Sequence, residues 1–190
     1  GTSTGISYFD LSSVSADQEL DGEATNNYFG IALAVGDANG DGYSDLAVGA
    51  EGWNSSAGRS YVYHGSASGV SSSADTIIGG LSIGSYSGCS LAFGNHDGDA
   101  YSDLMIGARG YVNDNTGLAV VHEGSSSGVS STSSASIRGD ASGSYLGAAL
   151  SFGDHNGDSY SDAIIGSYGY SSSTGRVYVQ SGSSSGIPGN

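Results

Sequence analysis

The chain has 190 residues, 34 of them Gly and one Pro, and its 19 acidic residues against 4 basic give a formal net charge of −15. That balance excludes nucleic acid as a partner, since there is no cationic surface to neutralise phosphate, and it argues against docking on an anionic membrane. No run approaches the roughly 20 apolar residues that span a bilayer, so membrane insertion is not expected.

Short apolar runs, such as residues 31–35, recur throughout the Gly- and Ser-rich sequence. This is the pattern of many short strands joined by tight turns. Residues 1–27 form a lead-in, within which residues 16–22 align with residues 74–80 at an offset of 58 and predict an isolated strand. Three similar units follow, at 28–85, 86–144 and 145–190. Each opens on Tyr-x-Gly (Tyr28 and Gly30, Tyr86 and Gly88, Tyr145 and Gly147), continues as a first strand and then enters a nine-residue acidic loop. The second strand is predicted at 46–49, 104–107 and 163–166, and the third at 60–63, 118–121 and 177–180. A fourth is predicted at 75–78 and 135–138 only. Cys89, the one cysteine, falls in a first-strand run and reads as a small core residue that can form no internal disulfide.

Four short antiparallel strands per unit describe an all-β chain of propeller blades. The third unit lacks its fourth strand and the lead-in has one to spare, so the N-terminal strand is expected to close the last blade. A propeller ring typically takes 4–8 blades, and three do not close one. The economical arrangement is a homodimer, in which two chains form a six-bladed ring. The alternative is that these blades belong to a longer propeller.

The acidic loops start at residues 37, 95 and 154, and their positions 1, 3, 5 and 9 always carry a side-chain oxygen. These are Asp37, Asn39, Asp41 and Asp45; Asn95, Asp97, Asp99 and Asp103; and Asp154, Asn156, Asp158 and Asp162. Position 7, which would contribute a backbone carbonyl, is Tyr43, Tyr101 or Tyr160. Oxygen-only donors with three carboxylates per loop suit Ca²⁺ better than Mg²⁺, which keeps more of its water, and the lack of Cys or His ligands disfavours zinc. The expected cofactor is therefore Ca²⁺, three per chain, in a structural role. The spacing follows the first half of an EF-hand, but no Glu stands at position 12. His96 and His155, at position 2, are expected to point away from the loop centre onto the rim.

The phrases Tyr28-Phe29-Gly30, Gly36-Asp37-Ala38-Asn39-Gly40-Asp41-Gly42-Tyr43-Ser44-Asp45-Leu46 and Val48-Gly49-Ala50 resemble the FG-GAP repeat of integrin α-subunit propellers. Tyr8-Phe9-Asp10-Leu11 is similar to the start of mature integrin α chains, which supplies the closing strand there. The resemblance covers nearly the whole chain. It implies calcium-bound loops between the first two strands of each blade, on one rim, and an extracellular or cell-surface setting. Integrin propellers have seven blades in one chain, and three here depart from that pattern.

The turns between second and third strands carry Trp53, Tyr111 and Tyr170 among Asn54, Asp114, Asn115 and several Ser. Aromatic rings beside amides and carboxylates suit a protein or a glycan ligand. Arg138-Gly139-Asp140 matches a tripeptide that integrins recognise, and Asn54-Ser55-Ser56 fits a glycosylation sequon. His64, His96, His122 and His155 form no recurring nucleophile–base signature, so no enzymatic activity is expected. The sequence thus points to a calcium-binding, non-catalytic extracellular adhesion or protein-interaction module, with a lectin using the aromatic turns as the alternative.

Overall fold

Tyr-x-Gly, the phrase that opens each unit, has a local backbone cause. Tyr28, Tyr86 and Tyr145 sit at φ 55°, 54° and 54°, and Gly30, Gly88 and Gly147 follow at φ 91°, 84° and 83°. Two left-handed residues this close displace one strand against its neighbour, and the strand register shifts just after them, between Phe29 and Leu33 and between Ser87 and Ser90. Glycine meets the second of these positions without a Cβ penalty.

A computed structural model describes residues 16–189; the segment Tyr8-Phe9-Asp10-Leu11 lies outside them. The first sheet is β1 (Phe29–Gly36), β2 (Asp45–Ala50), β3 (Arg59–Tyr63) and β4 (Thr76–Gly79), hydrogen-bonded in chain order. The second is β5 (Ser87–Gly94), β6 (Asp103–Ala108), β7 (Leu118–His122) and β8 (Ala135–Arg138), in the same order. Among the described residues the third has three strands, β9 (Leu146–Gly153), β10 (Asp162–Ser167) and β11 (Arg176–Gln180). All pairings between these strands are antiparallel. The molecule is therefore all-β, with four-stranded blades of the expected kind. The second and third strands are joined by tight helical turns at Trp53–Ser56, Tyr111–Asn115 and Tyr170–Ser173.

The blades stack face to face, β1 against β5 and β5 against β9. Each junction joins a face of small side chains to a face of larger ones. Ala32, Ala34, Ala47, Val62 and Ile78 of the first blade meet Leu91, Leu104, Ile106, Leu118 and Val120 of the second. Ala92, Met105, Ala119 and Val121 then meet Leu146, Leu150, Phe152 and Ile165 of the third. Full burial of such an aliphatic side chain stabilises by about 1.5–3 kcal/mol, so these seams carry most of the fold's stability. They are close enough for backbones to touch. A Cβ on Gly49 would lie 2.0 Å from the Gly88 carbonyl oxygen, and one on Gly107 the same distance from that of Gly147. The junctions are also stitched by isolated parallel bridges, Gly58 to Ser87 and Gly117 to Leu146.

The lead-in joins none of the three sheets. Residues 16–22 form no paired strand within the chain, and β11 is not their neighbour. They run along the first blade instead. Gln18 Nε2 donates to the Val70 carbonyl at 2.7 Å, Val70 N–H donates to Gln18 Oε1 at 3.1 Å, and Leu20 packs against the Val48–Tyr61–Tyr63 cluster. Residues 18–20 lie on the first blade and β11 on the third, so this segment does not close the third blade of its own chain.

Substituting Gly107 by Ala should therefore lower the unfolding free energy by about 1–3 kcal/mol through overpacking. Gly79→Ala, where a Cβ meets nothing within 4 Å, should fall within about 0.5 kcal/mol of the parent in urea unfolding.

Candidate functional site

The acidic loops connect β1 to β2, β5 to β6 and β9 to β10, and each folds around its own carboxylates. Asp37 Oδ1 accepts from the N–H groups of Gly40 (2.8 Å) and Asp41 (3.1 Å), and its Oδ2 accepts from Gly42 (2.9 Å). Asn39 Oδ1 accepts from Asp41 N–H at 3.0 Å, and Asp41 Oδ1 accepts from Tyr43 N–H at 2.8 Å. Asp154, Asn156 and Asp158 repeat this pattern with Gly157, Ser159 and Tyr160. In the second loop Asn95 Oδ1 accepts from Gly98 N–H, Asp97 from Asp99 N–H, and Asp99 from Tyr101 N–H. The N–H groups of Ser159, Gly157 and Asp158 hold the Asp154 carboxyl below the usual carboxylate range, working against a smaller upward push from burial.

Position 9 plays a different part. Asp45, Asp103 and Asp162 begin the second strands and are fully buried. One oxygen of each accepts from the N–H of loop position 2: Ala38 at 2.9 Å, His96 at 3.1 Å and His155 at 2.9 Å. The other accepts from the second residue after the third strand: Gly65 at 2.8 Å, Gly124 at 3.0 Å and Gly182 at 2.9 Å. Each of these carboxylates ties loop, second strand and third strand together.

Successive loops dock on one another. Ser102 N–H donates to the Asp37 carbonyl and Ser161 N–H to that of Asn95, both at 2.8 Å. Ser125 N–H and Ser183 N–H reach the carbonyls of Ala38 and His96. The rings of Tyr101 and Tyr160 lie over Gly40 and Gly98 of the preceding loop. The three loops thus form one continuous rim. Their oxygen-only donors fit a hard cation, because carboxylate oxygens that accept a single N–H bond, such as Asp37 Oδ2 and Asp41 Oδ1, keep a lone pair free. A divalent ion there would be held by positions 1, 3, 5 and 9 and by the carbonyl of position 7, and would offset the clustered negative charge.

The expectation for His96 is corrected. It is buried, 1% exposed, because position 2 inserts under the next blade, where its ring stacks on Phe152 at 6.2 Å between centroids. Its Nε2 lies 3.6 Å from Asp103 Oδ2 and 3.4 Å from Glu123 Oε1. Among the described residues these three bring ligand-type atoms within 4.8 Å of one another. Burial pushes the Asp103 carboxyl up, and Glu123 adds to the rise. Nothing local in the sequence marks Glu123 as a neighbour of His96, since the two meet only when β7 pairs beside β6 and brings the bend after it against the β5–β6 loop. His155, with no blade beyond it among the described residues, is half exposed, and its Nδ1 contacts Asp162 Oδ2. His122 Nδ1 pairs with the Ser130 carbonyl at 2.9 Å, and His64 Nδ1 stands 3.8 Å from Asp75 Oδ1.

Two of the aromatic turns carry a feature that sequence reading missed. The Arg59 guanidinium stacks on Trp53 at 3.7 Å and that of Arg176 on Tyr170 at 3.5 Å. Each arginine is held in turn by an acid 36 residues upstream, Glu23 or Asp140. Tyr111 instead packs against the first inter-blade core, where Leu118 occupies the place of the arginine. Asp140, of the Arg138-Gly139-Asp140 tripeptide, accepts from Arg176 Nη1 at 3.3 Å and from the Tyr178 hydroxyl at 2.8 Å.

The FG-GAP repeat model matches residues 29–63 and 146–179, which are the β1–β3 and β9–β11 segments. Integrin alpha-7 of Rattus norvegicus is 42% identical over 86 residues, 44% of this chain. Integrin alpha-PS2 of Drosophila melanogaster is 32% identical over 83% of the chain, and Integrin alpha-8 of Gallus gallus is 26% identical over 86%. The chain spans only 7–17% of the length of these relatives. No helix among the described residues is long and apolar enough to cross a membrane.

Two outcomes check the position-9 clamp apart from any metal. In chelator, Asp45→Asn turns an N–H donor against a buried N–H and should cost about 1–3 kcal/mol in urea unfolding. Asp162 is held low chiefly by the His155 N–H. Its contribution is present above the unfolded carboxylate pKa of about 4 and is lost as pH falls through the lower folded value. Asp162→Asn should therefore flatten the acid limb of the stability curve below about pH 4.

Proposed function

We propose that this chain, which carries FG-GAP repeats similar to those of integrin α chains, is a calcium-stabilised, non-catalytic adhesion or protein-interaction module of an extracellular or cell-surface protein. The observation that carries the reading is the rim of three in-phase loops. Each has the same oxygen-only donor spacing, and each docks on the next through backbone bonds. The ligands are Asp37, Asn39, Asp41, Tyr43 and Asp45 in the first loop and the corresponding residues of the other two. Such a site clamps a hairpin, and its ion relieves the repulsion of nine carboxylates along one edge. Two copies joined end to end would close a six-bladed ring.

A protein ligand is favoured over a glycan. Sugar recognition by the turns would need a free aromatic face, and Arg59 and Arg176 already lie over Trp53 and Tyr170. The resulting arginine–aromatic–acid surface suits a partner protein with mixed polar and apolar contacts.

The test is thermal unfolding in Ca²⁺ and in chelator. At 10–100 times the Kd, each site should add about 1.4–2.7 kcal/mol, and the midpoint should rise accordingly. Replacing Asp41, Asp99 and Asp158 together by Asn should abolish the rise. An unchanged midpoint in the parent protein would overturn the calcium assignment. On a glycan array, binding that is lost in Trp53→Ala would overturn the preference for a protein ligand.

A further inference from the structure

The two internal blade junctions are built alike, contact for contact, and each end of the stack presents one half of that contact set without the other. At the first blade, Val35 and Leu33 are 67% and 62% exposed. Their counterparts one blade on, Phe93 and Leu91, are packed in the seam against the first blade. At the third blade, Val177 and Val179 are 65% and 50% exposed, whereas Ala119 and Val121 in the same places of the second are buried. The glycines agree. A Cβ on Gly36 would strike Phe93 and one on Gly94 would strike Phe152, but Gly153 meets nothing within 4 Å. Tyr101 covers Gly40 and Tyr160 covers Gly98, while Gly157 lies open and Tyr43 is 46% exposed.

The lead-in supplies the remaining half. Leu20 lies on the first blade's larger face, the place that Ile78 takes on the second. Gln18 bonds to Val70 just as Thr76 Oγ1 donates to the Val129 carbonyl at 3.2 Å. Residues 18–21 are thus already laid down as the outer strand of a blade that stands in front of the first, and among the described residues no other strand of that blade lies beside them.

We infer that the occupant of both open faces is a second copy of this chain, joined head to tail, with residues 18–21 of each copy forming the fourth strand of the other's third blade. This rests on the ring proposed above and adds its register. The β3–β4 and β7–β8 pairings transfer directly. Val177 faces the partner copy's Leu20, Arg176 faces Asp21, Tyr178 faces Glu19 and Val179 faces Gln18. On the same pattern Val35 covers Gly153 across the junction and Tyr43 covers Gly157. Ser44 N–H and Ser66 N–H donate to the carbonyls of Asp154 and His155, as Ser102 and Ser125 do to Asp37 and Ala38. A second copy fits this match of small face to large face and of outer strand to open edge, and its Asp21 adds a second acid beside Arg176, which Asp140 of its own chain already engages.

The experiment uses the 190-residue chain with Cys89→Ser as background and two paired variants, Leu20→Cys with Val177→Cys and Leu20→Cys with Tyr178→Cys. A one-residue offset turns the side chain to the other face of the sheet, so only the first pair should cross-link. Under mild oxidation and without reductant, its band should shift from 18.8 kDa to twice that mass, while the second pair stays at the monomer position. A dimer by light scattering in which the first pair does not cross-link, or in which both pairs cross-link equally, overturns this register and leaves the ring. A parent chain that runs as a monomer in Ca²⁺ overturns the register and the ring together, and leaves the calcium assignment standing.

Discussion

A carboxylate out of reach of water stands at the head of the second strand in every blade, and the remaining structure is arranged around it. Burying such a charge is costly unless its oxygens are satisfied. Asp45, Asp103 and Asp162 each receive two backbone N–H bonds, one from the acidic loop and one from the bend after the third strand. The loop cannot then swing away from the hairpin, and positions 1, 3 and 5 are held at the rim with their oxygens gathered by backbone amides. Geometry that would serve the proposed cation is in this way maintained by hydrogen bonds internal to the blade.

The same economy governs the scarce positive charges. All four are arginines. Arg59 pairs with Glu23, Arg109 with Glu51 and Arg176 with Asp140, so these three each join one blade to an acid in the segment before it. Arg109 also lies over Tyr86, and the side-chain bond from Glu51 raises its already high pKa. Exposed ion pairs contribute little singly. Here they work with aromatic stacking at the outer ends of seams whose stability comes from aliphatic burial.

Much of this was legible in the sequence, for a physical reason. Strand positions and loop chemistry repeat every 58 or 59 residues, and a repeat exposes what is local: β2, β7, β8 and β11 fall within a residue or so of their predicted spans. What depends on contact between units was hidden. Ala38 and His96 occupy the same loop position, yet nothing local says that this position slides under the next blade, and so His96 was expected on the rim. The arginines over Trp53 and Tyr170 are likewise six residues from their rings in sequence, across a turn whose left-handed residues, Asn54 and Ser55 or Ser171 and Ser172, no propensity would predict. The likeness of residues 16–22 to the outer strand at 74–80 was legible for the same reason, and among the described residues they pair with no strand.

The asymmetry of the seams carries a further consequence. Since every blade is small-faced behind and large-faced in front, stacking is vectorial, and a vectorial surface has no intrinsic end. A heterologous contact of this kind produces a closed ring when the turn per subunit divides a full circle, and a helical fibre when it does not. The determinant is the wedge angle between adjacent sheets, set by residues as small as the alanines of one face and the glycines at which backbones touch. In the proposed assembly a methyl group added at such a position would alter the curvature, so those residues would decide between a finite particle and a polymer.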